Sequence, residues 1–368
     1  MNQIKVLHIS DIGNDRAAGT SVIIPQYIAA QEKNSSLKVF FLNCNNTKLN
    51  FKAQRAYMLS DNKKNKCIDD IAPDLVIFHE LYKPVYINIY KYLKRKKIPY
   101  IIIPHGGLTK KAQNTKMLKK RIGNIFFFKA FLNSAVAIQY LSLNEQNNSF
   151  FPKYTSYVLG NGIENIPEIN LYQQNKDIKN KMGLVYIGRY DCIIKGLDQL
   201  LAAMKKIKNN GIQNVTLSLY GKGDEYNEKL LKDYIDKNQL NDIVILNGPI
   251  YDDDKRKVMI QHDVFIQVSR TEGQPLGVME AMCLGMPLLV SDGTGFANIV
   301  KEYKMGYAVM SDTDDIYKKI LKYTKNKSKL TLFSQNAFNY AKKNYLWSNI
   351  VDQSVKIYND LIRKNRGD

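Results

Sequence analysis

The feature that most restricts the fold of this chain is a recurrence of short apolar runs between longer helical stretches. In the first half the runs are Ile4–Ile9, Val39–Leu42, Leu75–Phe78, Tyr100–Ile103, Ala135–Tyr140 and Tyr157–Leu159. In the second half they are Leu184–Ile187, Val215–Leu219, Ile243–Leu246, Val264–Val268, Pro287–Val290 and Tyr307–Met310. Continuous Val/Ile/Leu runs, as opposed to alternating ones, belong to parallel strands covered by helices on both faces. At 368 residues the chain exceeds what one core supports. The pattern therefore predicts an α/β protein of two doubly wound, Rossmann-like domains, with an interdomain cleft as the natural ligand site. The polar stretch 164–181 is the expected linker. Residues 1–165 are expected to form one domain and 166–347 the other. In the last helix Ile350, Val351, Val355, Tyr358, Leu361 and Ile362 recur at helical spacing. That helix, 348–368, is expected to return to the first domain.

Composition excludes several classes. A hydrophobic content of 45% with 24% charged residues describes a folded globular chain, neither disordered nor fibrous. The longest apolar stretch, Ile122–Leu141, is broken by Asn124, Lys129 and Asn133, so no membrane span is expected. Ile4–Ile9 is too short for the apolar core of a signal peptide. Cys44, Cys67, Cys192 and Cys283 are scattered without metal-ligand spacing and read as reduced thiols of a cytoplasmic protein.

The net charge of +20 is unevenly distributed. Residues 1–165 carry 24 Lys+Arg against 10 Asp+Glu, whereas the remainder carries 30 against 24. From Lys83 to Lys129 there are 13 basic residues and no acidic one. Such a field attracts a phosphorylated acceptor, a polyanion or an anionic membrane surface; the alternative is a lysine-decorated, solvated face. The segment Lys110–Phe131 mixes this charge with Met117, Leu118, Ile122 and a run of phenylalanines. It reads equally as a helix lying on the inner face of the cell membrane and as a core helix with solvated lysines.

The richest motif follows the run Val264–Val268 and reads Ser269–Arg270–Thr271–Glu272–Gly273–Gln274–Pro275–Leu276–Gly277–Val278–Met279–Glu280. It stands at the carboxyl end of a strand, where open α/β sheets bind ligands. Gly273 admits close backbone approach, and Pro275 suits the start of a helix that Gly285 caps and Pro287 follows. The first N–H groups of that helix, at Leu276, Gly277 and Val278, form a ready phosphate site. Glu272 and Glu280 flank it and suit sugar and ribose hydroxyls. On the residues alone, Glu280 as a dipole partner and Glu272 as a solvated charge remain open.

The Glu-x7-Glu spacing resembles the signature of the retaining family-four (group 1) glycosyltransferases, which have the GT-B fold. Neighbouring elements follow in that family's order: Gly188–Arg189 with Lys195–Gly196, Leu219–Tyr220–Gly221–Lys222–Gly223, Leu246–Asn247–Gly248–Pro249, and the strand Pro287–Gly295. The resemblance implies that Arg189 and Lys195 neutralise a diphosphate, that Glu280 holds the donor ribose, and that Glu272 orients the transferred sugar. Gly188, Gly221, Pro249, Gly273, Leu276 and Gly277 would line the donor. It also implies a nucleoside-diphosphate sugar, with UDP preferred, as the substrate. No cofactor and no metal are expected, since two cations stabilise the leaving diphosphate. Asp252–Asp253–Asp254 reads as a helix start, serving as cap and dipole partner, and not as a metal motif.

In the first half, Ala18–Gly19–Thr20 follows the first strand and offers backbone N–H groups, with Gly19 expected to bind the donor, although the family usually has paired glycines there. Pro104–His105–Gly106–Gly107 resembles the family's His-Gly element, and His105 would hydrogen-bond the transferred sugar. His8, His79 and His262 are expected to be core or surface residues. Phe296–Ala297–Asn298 and Gln274–Pro275 depart from the family pattern in positions that bear on the choice of donor. The acceptor is expected to be a saccharide, lipid-linked, in bacterial surface polysaccharide synthesis. A sugar-nucleotide epimerase or hydrolase of the same plan is the alternative. A basic nucleic-acid-binding protein is a further one, disfavoured because the basic residues form no nucleic-acid motif.

Overall fold

The computed structural model describes residues 3–15, 19–45, 55–58, 64–114, 123, 127–150, 154–164, 166–174 and 181–367. The chain divides into two compact units, Met1–Glu164 with Trp347–Asp368, and Asn165–Leu346.

The first unit holds a parallel sheet of β1 (Ile4–Ser10), β2 (Leu37–Asn43), β3 (Ala56–Met58), β4 (Leu75–His79), β5 (Tyr100–Ile103), β6 (Ala137–Tyr140) and β7 (Ser156–Val158). The strand order is β3-β2-β1-β4-β5-β6-β7. It has one strand more than the apolar runs predict. β3 is a three-residue edge strand, paired from Ala56 to Phe41 of β2, and is too short to register as a run. The second unit holds β8 (Met182–Ile187), β9 (Val215–Tyr220), β10 (Val244–Asn247), β11 (Val264–Gln267), β12 (Leu288–Ser291) and β13 (Gly306–Val309). Their order is β10-β9-β8-β11-β12-β13, again all parallel. In each sheet the chain winds outward one way and then the other. The winding reverses between β1 and β4 in the first unit and between β8 and β11 in the second.

Burial explains the winding. The helix Leu197–Asn209 turns Leu197, Leu200, Leu201, Met204 and Ile207 inward at helical spacing, covering a sheet whose strands are buried on both faces. Each such side chain contributes about 1.5–3 kcal/mol on leaving water. The helix Trp347–Arg366 belongs to the first unit: Trp347 stacks on Tyr27 at 5.2 Å, and the Tyr27 and Tyr358 hydroxyls meet at 2.8 Å.

The helix Leu276–Cys283 ends in a Schellman turn. The Gly285 N–H donates to the Met282 carbonyl and the Met286 N–H to that of Ala281. Gly285 sits at φ +77°, and a Cβ there would lie 2.2 Å from Asn170 Oδ1. Asn170 is itself engaged, donating to Ser334 Oγ at 2.9 Å and accepting from the Gln173 N–H at 3.1 Å. Gly285→Ala should therefore lower stability by about 2 kcal/mol or more, combining left-handed strain with a displaced buried amide. Urea midpoints followed by circular dichroism measure this, and an unchanged midpoint would refute it.

Candidate active site

The polar groups of the second unit gather at the carboxyl ends of β8 and β11, where its strand order reverses. Lys195, in the turn after β8, points its ammonium at Glu272, in the loop after β11: Nζ to Oε1 is 2.5 Å. Their side chains are 16% and 13% exposed, so the pair is largely withdrawn from solvent. The same Oε1 accepts from Ser269 Oγ at 2.7 Å and from Gln267 Nε2 at 2.9 Å. Three donors thus converge on one carboxylate oxygen. Oε2 makes no hydrogen bond among the described residues and is left to accept from a hydroxyl. The ammonium retains donors beyond the one spent on Glu272.

Backbone geometry brings the two loops this close. Gly196 adopts φ +67°, and a Cβ on it would sit 2.2 Å from the Val268 carbonyl oxygen, which no side chain allows. The Arg270 N–H donates to the Ile194 carbonyl at 2.8 Å, and its guanidinium grips both oxygens of Asp198 at 2.7 Å. This bidentate pair ties the loop after β11 to the first turn of the helix after β8.

Among the described residues no hydrogen bond or ion pair joins Arg189 to the Lys195–Glu272 pair. Its side chain is exposed and faces Asp191 at 3.6 Å, while its carbonyl accepts from the buried Tyr186 hydroxyl at 2.8 Å. Burial pushes the Tyr186 phenol well above its ordinary value, and the nearby Glu272 carboxylate adds to the shift. Gly188 and Gly221 end β8 and β9 side by side: the Gly188 N–H donates to Tyr220, and a Cβ on Gly221 would strike the Gly188 carbonyl. Pro249 is exposed beyond β10.

Pro275 stands at the N-cap of the helix Leu276–Cys283, and Gly273, Leu276 and Gly277 are all partly exposed. Of the three N–H groups expected to be available, that of Val278 is engaged by the Pro275 carbonyl at 3.2 Å. Glu280 lies one turn inside the helix and is ion-paired with Lys255. Lys255 belongs to the helix Asp252–Ile260, which corrects one expectation: Tyr251 is its N-cap, and the three aspartates occupy its first turn, where they complement the dipole without capping.

Gln267, Ser269, Asp198 and Lys255 escaped sequence reading. Only Ser269 left a local sign, its Ser-x-x-Glu spacing to Glu272. The other partners are brought in by sheet order.

In the first unit, Gly19 begins the helix Gly19–Glu32, and Ala18 lies outside the described residues. His105 follows β5 in a left-handed turn at φ +47°. The next N–H, of Gly106, donates to the buried Glu145 carboxylate at 2.5 Å. Burial raises the Glu145 carboxyl above its ordinary value. His8 and His79 are fully buried, as expected of core residues, and are hydrogen-bonded to one another and on to His105. Half of the basic, phenylalanine-rich segment Lys110–Phe131 lies outside the described residues, at 115–122 and 124–126. Among the described residues no helix is long and apolar enough to cross a membrane, and no three His, Cys, Asp or Glu side chains are grouped to hold a metal ion.

Two doubly wound parallel units, one with its polar groups at the switch point, define a protein of the GT-B class. Anabaena HepE, solved in complex with UDP, has this fold, with a TM-score of 0.77 over 97% of this chain and 100% of that chain at 15% identity. Residues 169–340, just under half of the chain and all within the second unit, match the family model for glycosyl transferases group 1. The chain is 25% identical over 287 residues to an uncharacterized glycosyltransferase of Methanocaldococcus jannaschii, covering 74% of this chain and 71% of the relative. It is 24% identical over 271 residues to a GDP-mannose:cellobiosyl-diphosphopolyprenol alpha-mannosyltransferase of Xanthomonas oryzae pv. oryzae, covering 72% and 68% respectively.

Proposed function

We propose that the protein transfers a sugar from a nucleoside-diphosphate sugar, UDP-linked, to a saccharide hydroxyl with retention of configuration. The observation that carries this reading is the Lys195–Glu272 pair at the β8/β11 switch point, just ahead of the helix that begins at Leu276. A diphosphate seated at that helix start would meet the unspent donors of Lys195 and the exposed guanidinium of Arg189. As the glycosidic bond breaks, the leaving nucleotide gains negative charge, and fixed cations stabilise it without a divalent metal. Glu272 Oε2 then orients the transferred sugar, and Glu280 accepts from the ribose once Lys255 yields. In this scheme the acceptor attacks from the face that the nucleotide leaves, and the departing phosphate takes its proton.

UDP is favoured by the HepE complex, which shares the fold, whereas the Xanthomonas relative is named for GDP-mannose. That relative's diphosphopolyprenol acceptor and the basic first unit support a lipid-linked saccharide acceptor in surface polysaccharide synthesis at the inner face of the membrane.

A donor at 100 times its Kd adds about 2.7 kcal/mol, which raises the melting midpoint of a unit of this size by roughly 5–10 °C. UDP-sugars should do so and GDP-sugars should not; the reverse pattern reassigns the base. The anomeric signal of the product by proton NMR tests retention, and full turnover after chelation tests metal independence. Sugar nucleotide consumed to free sugar or to an epimer without acceptor would favour a hydrolase or epimerase.

A further inference from the structure

Three histidines climb the first sheet one strand at a time. His8 lies in β1, His79 ends β4 and His105 follows β5. In the parallel register His8 pairs with Ile77, and His79 comes two residues later on the same face. His79 pairs with Ile103, and His105 comes two residues after that. The rings overlap at 5.2 and 5.3 Å between centroids. They are also joined nitrogen to nitrogen: His8 Nδ1 to His79 Nε2 at 2.9 Å, and His79 Nδ1 to His105 Nε2 at 3.0 Å. At the far end His8 Nε2 meets Gln31 Oε1 at 2.7 Å.

A neutral imidazole has one N–H, so each link holds one proton and the direction of the whole chain is set at its end. That end is Gln31. The Ser354 hydroxyl donates to the Val351 carbonyl at 2.7 Å, so towards Gln31 its oxygen can only accept. The Gln31 NH2 faces Ser354 at 3.5 Å and Tyr358 at 3.2 Å, which turns the amide oxygen to His8. An amide oxygen only accepts. The proton of His8 is therefore on Nε2 and its bare Nδ1 accepts from His79 Nε2–H; the bare Nδ1 of His79 accepts in turn from His105 Nε2–H. What remains is His105 Nδ1, a lone pair without a hydrogen bond among the described residues, on a residue that is partly exposed. Since Gln31 takes up no proton, the chain fixes tautomers and does not conduct protons away. Burial keeps the rings neutral, lowering His8 and His105 to about 4 and His79 well below its ordinary value.

We propose that His79, backed by His8 and Gln31, is a positioning residue that locks His105 as the Nε2–H tautomer, so that its Nδ1 accepts from a hydroxyl of the saccharide substrate. This rests on the reading of His105 as a sugar contact. It adds three residues behind that contact and a defined proton position on it.

The chain has four histidines, so long-range proton–nitrogen spectra of the full-length, nitrogen-15-labelled protein are sparse enough to assign. At pH 7 His8, His79 and His105 should each show a protonated Nε2 and a bare Nδ1. A proton on Nδ1 of His105 overturns the lock. Gln31→Met removes the terminal acceptor and should mix the tautomers of His105, with kcat/KM for transfer falling about tenfold. Gln31→Glu keeps an oxygen acceptor towards His8 but loses the NH2, so it should retain the His105 pattern and the activity better than Gln31→Met does. Equal losses in the two variants with an unchanged His105 pattern would make the effect one of packing and sink the proposal. His105→Ala is the separate control: full transfer in that variant refutes the sugar contact, whatever the spectra show of the lock.

Discussion

Glu272→Gln is expected to lower kcat/KM for sugar transfer by about 100-fold or more while leaving the fold intact. The substitution is nearly isosteric, so packing around residue 272 is preserved. Its chemistry is reversed where it matters. The oxygen that accepts from Lys195, Gln267 and Ser269 survives as an amide oxygen, but the charge that holds the ammonium is gone. The free Oε2 becomes an NH2, so a hydroxyl that donated to it meets a donor. Removing one preorganised polar group from a transition-state site costs about 10²–10³ in rate. The cost in stability should be about 1–3 kcal/mol, that of weakened bonds to a charged group in a partly buried pair. Lys195→Met should lose activity to a similar degree. The double variant should be hardly worse than Lys195→Met alone, because both changes dismantle one unit. Steady-state kinetics with circular dichroism on the three variants decide it, and near-full activity in both single variants would remove this pair from the chemistry.

The same pair shows what was legible in the sequence. Glu272 and Glu280 were visible because their spacing, and the Gly, Pro and apolar residues between and after them, encode one local event: a strand end, a turn and a capped helix. Lys195 was visible through the Gly-Arg…Lys-Gly element. That the ammonium of Lys195 lies on Glu272, 77 residues away, was not, because it depends on β8 and β11 being neighbours. Lys255 was hidden for a related reason. It sits within the helix Asp252–Ile260, where three aspartates precede three basic residues and explain it locally, while its partner Glu280 is on another element.

The fold was legible where burial is two-sided. β4 and β5 announce themselves as continuous apolar runs, whereas β3 is three residues at a sheet edge and makes no such run. The histidine ladder marks the opposite limit. His8 and His79 each sit in an apolar strand and look like isolated core residues. Only the offset of two residues at each strand pairing, 8 opposite 77 and 79 opposite 103, stacks them into a line. Pairing offset between parallel strands leaves no trace in either strand's own pattern, so no reading of single segments would have joined them.

That ladder predicts the other large effect: the first unit should lose much of its stability between pH 7 and pH 5. In the unfolded chain each histidine takes up a proton near 6.5, whereas His8 and His105 in the folded unit resist protonation until about 4 and His79 resists it too. Between those values the unfolded state binds more protons, so stability rises with pH in this window and is lost as pH falls through it. Two such groups shifted from 6.5 to about 4 give roughly 4 kcal/mol between pH 7 and 5. Native domains commonly have about 5–15 kcal/mol in all. Glu145 works against this. Its carboxyl is raised in the folded state, so its contribution grows as pH falls towards its unfolded value, but it is one group against three histidines. Trp347 is the chain's single tryptophan and packs on Tyr27 in this unit, so its emission reports the first unit. Urea midpoints read from it should drop steeply from pH 7 to 5. The drop should persist at high salt, where repulsion among the unit's lysines is screened. Midpoints that stay level across this range would mean that the histidines are charged in the folded protein, and the neutral ladder would have to be abandoned.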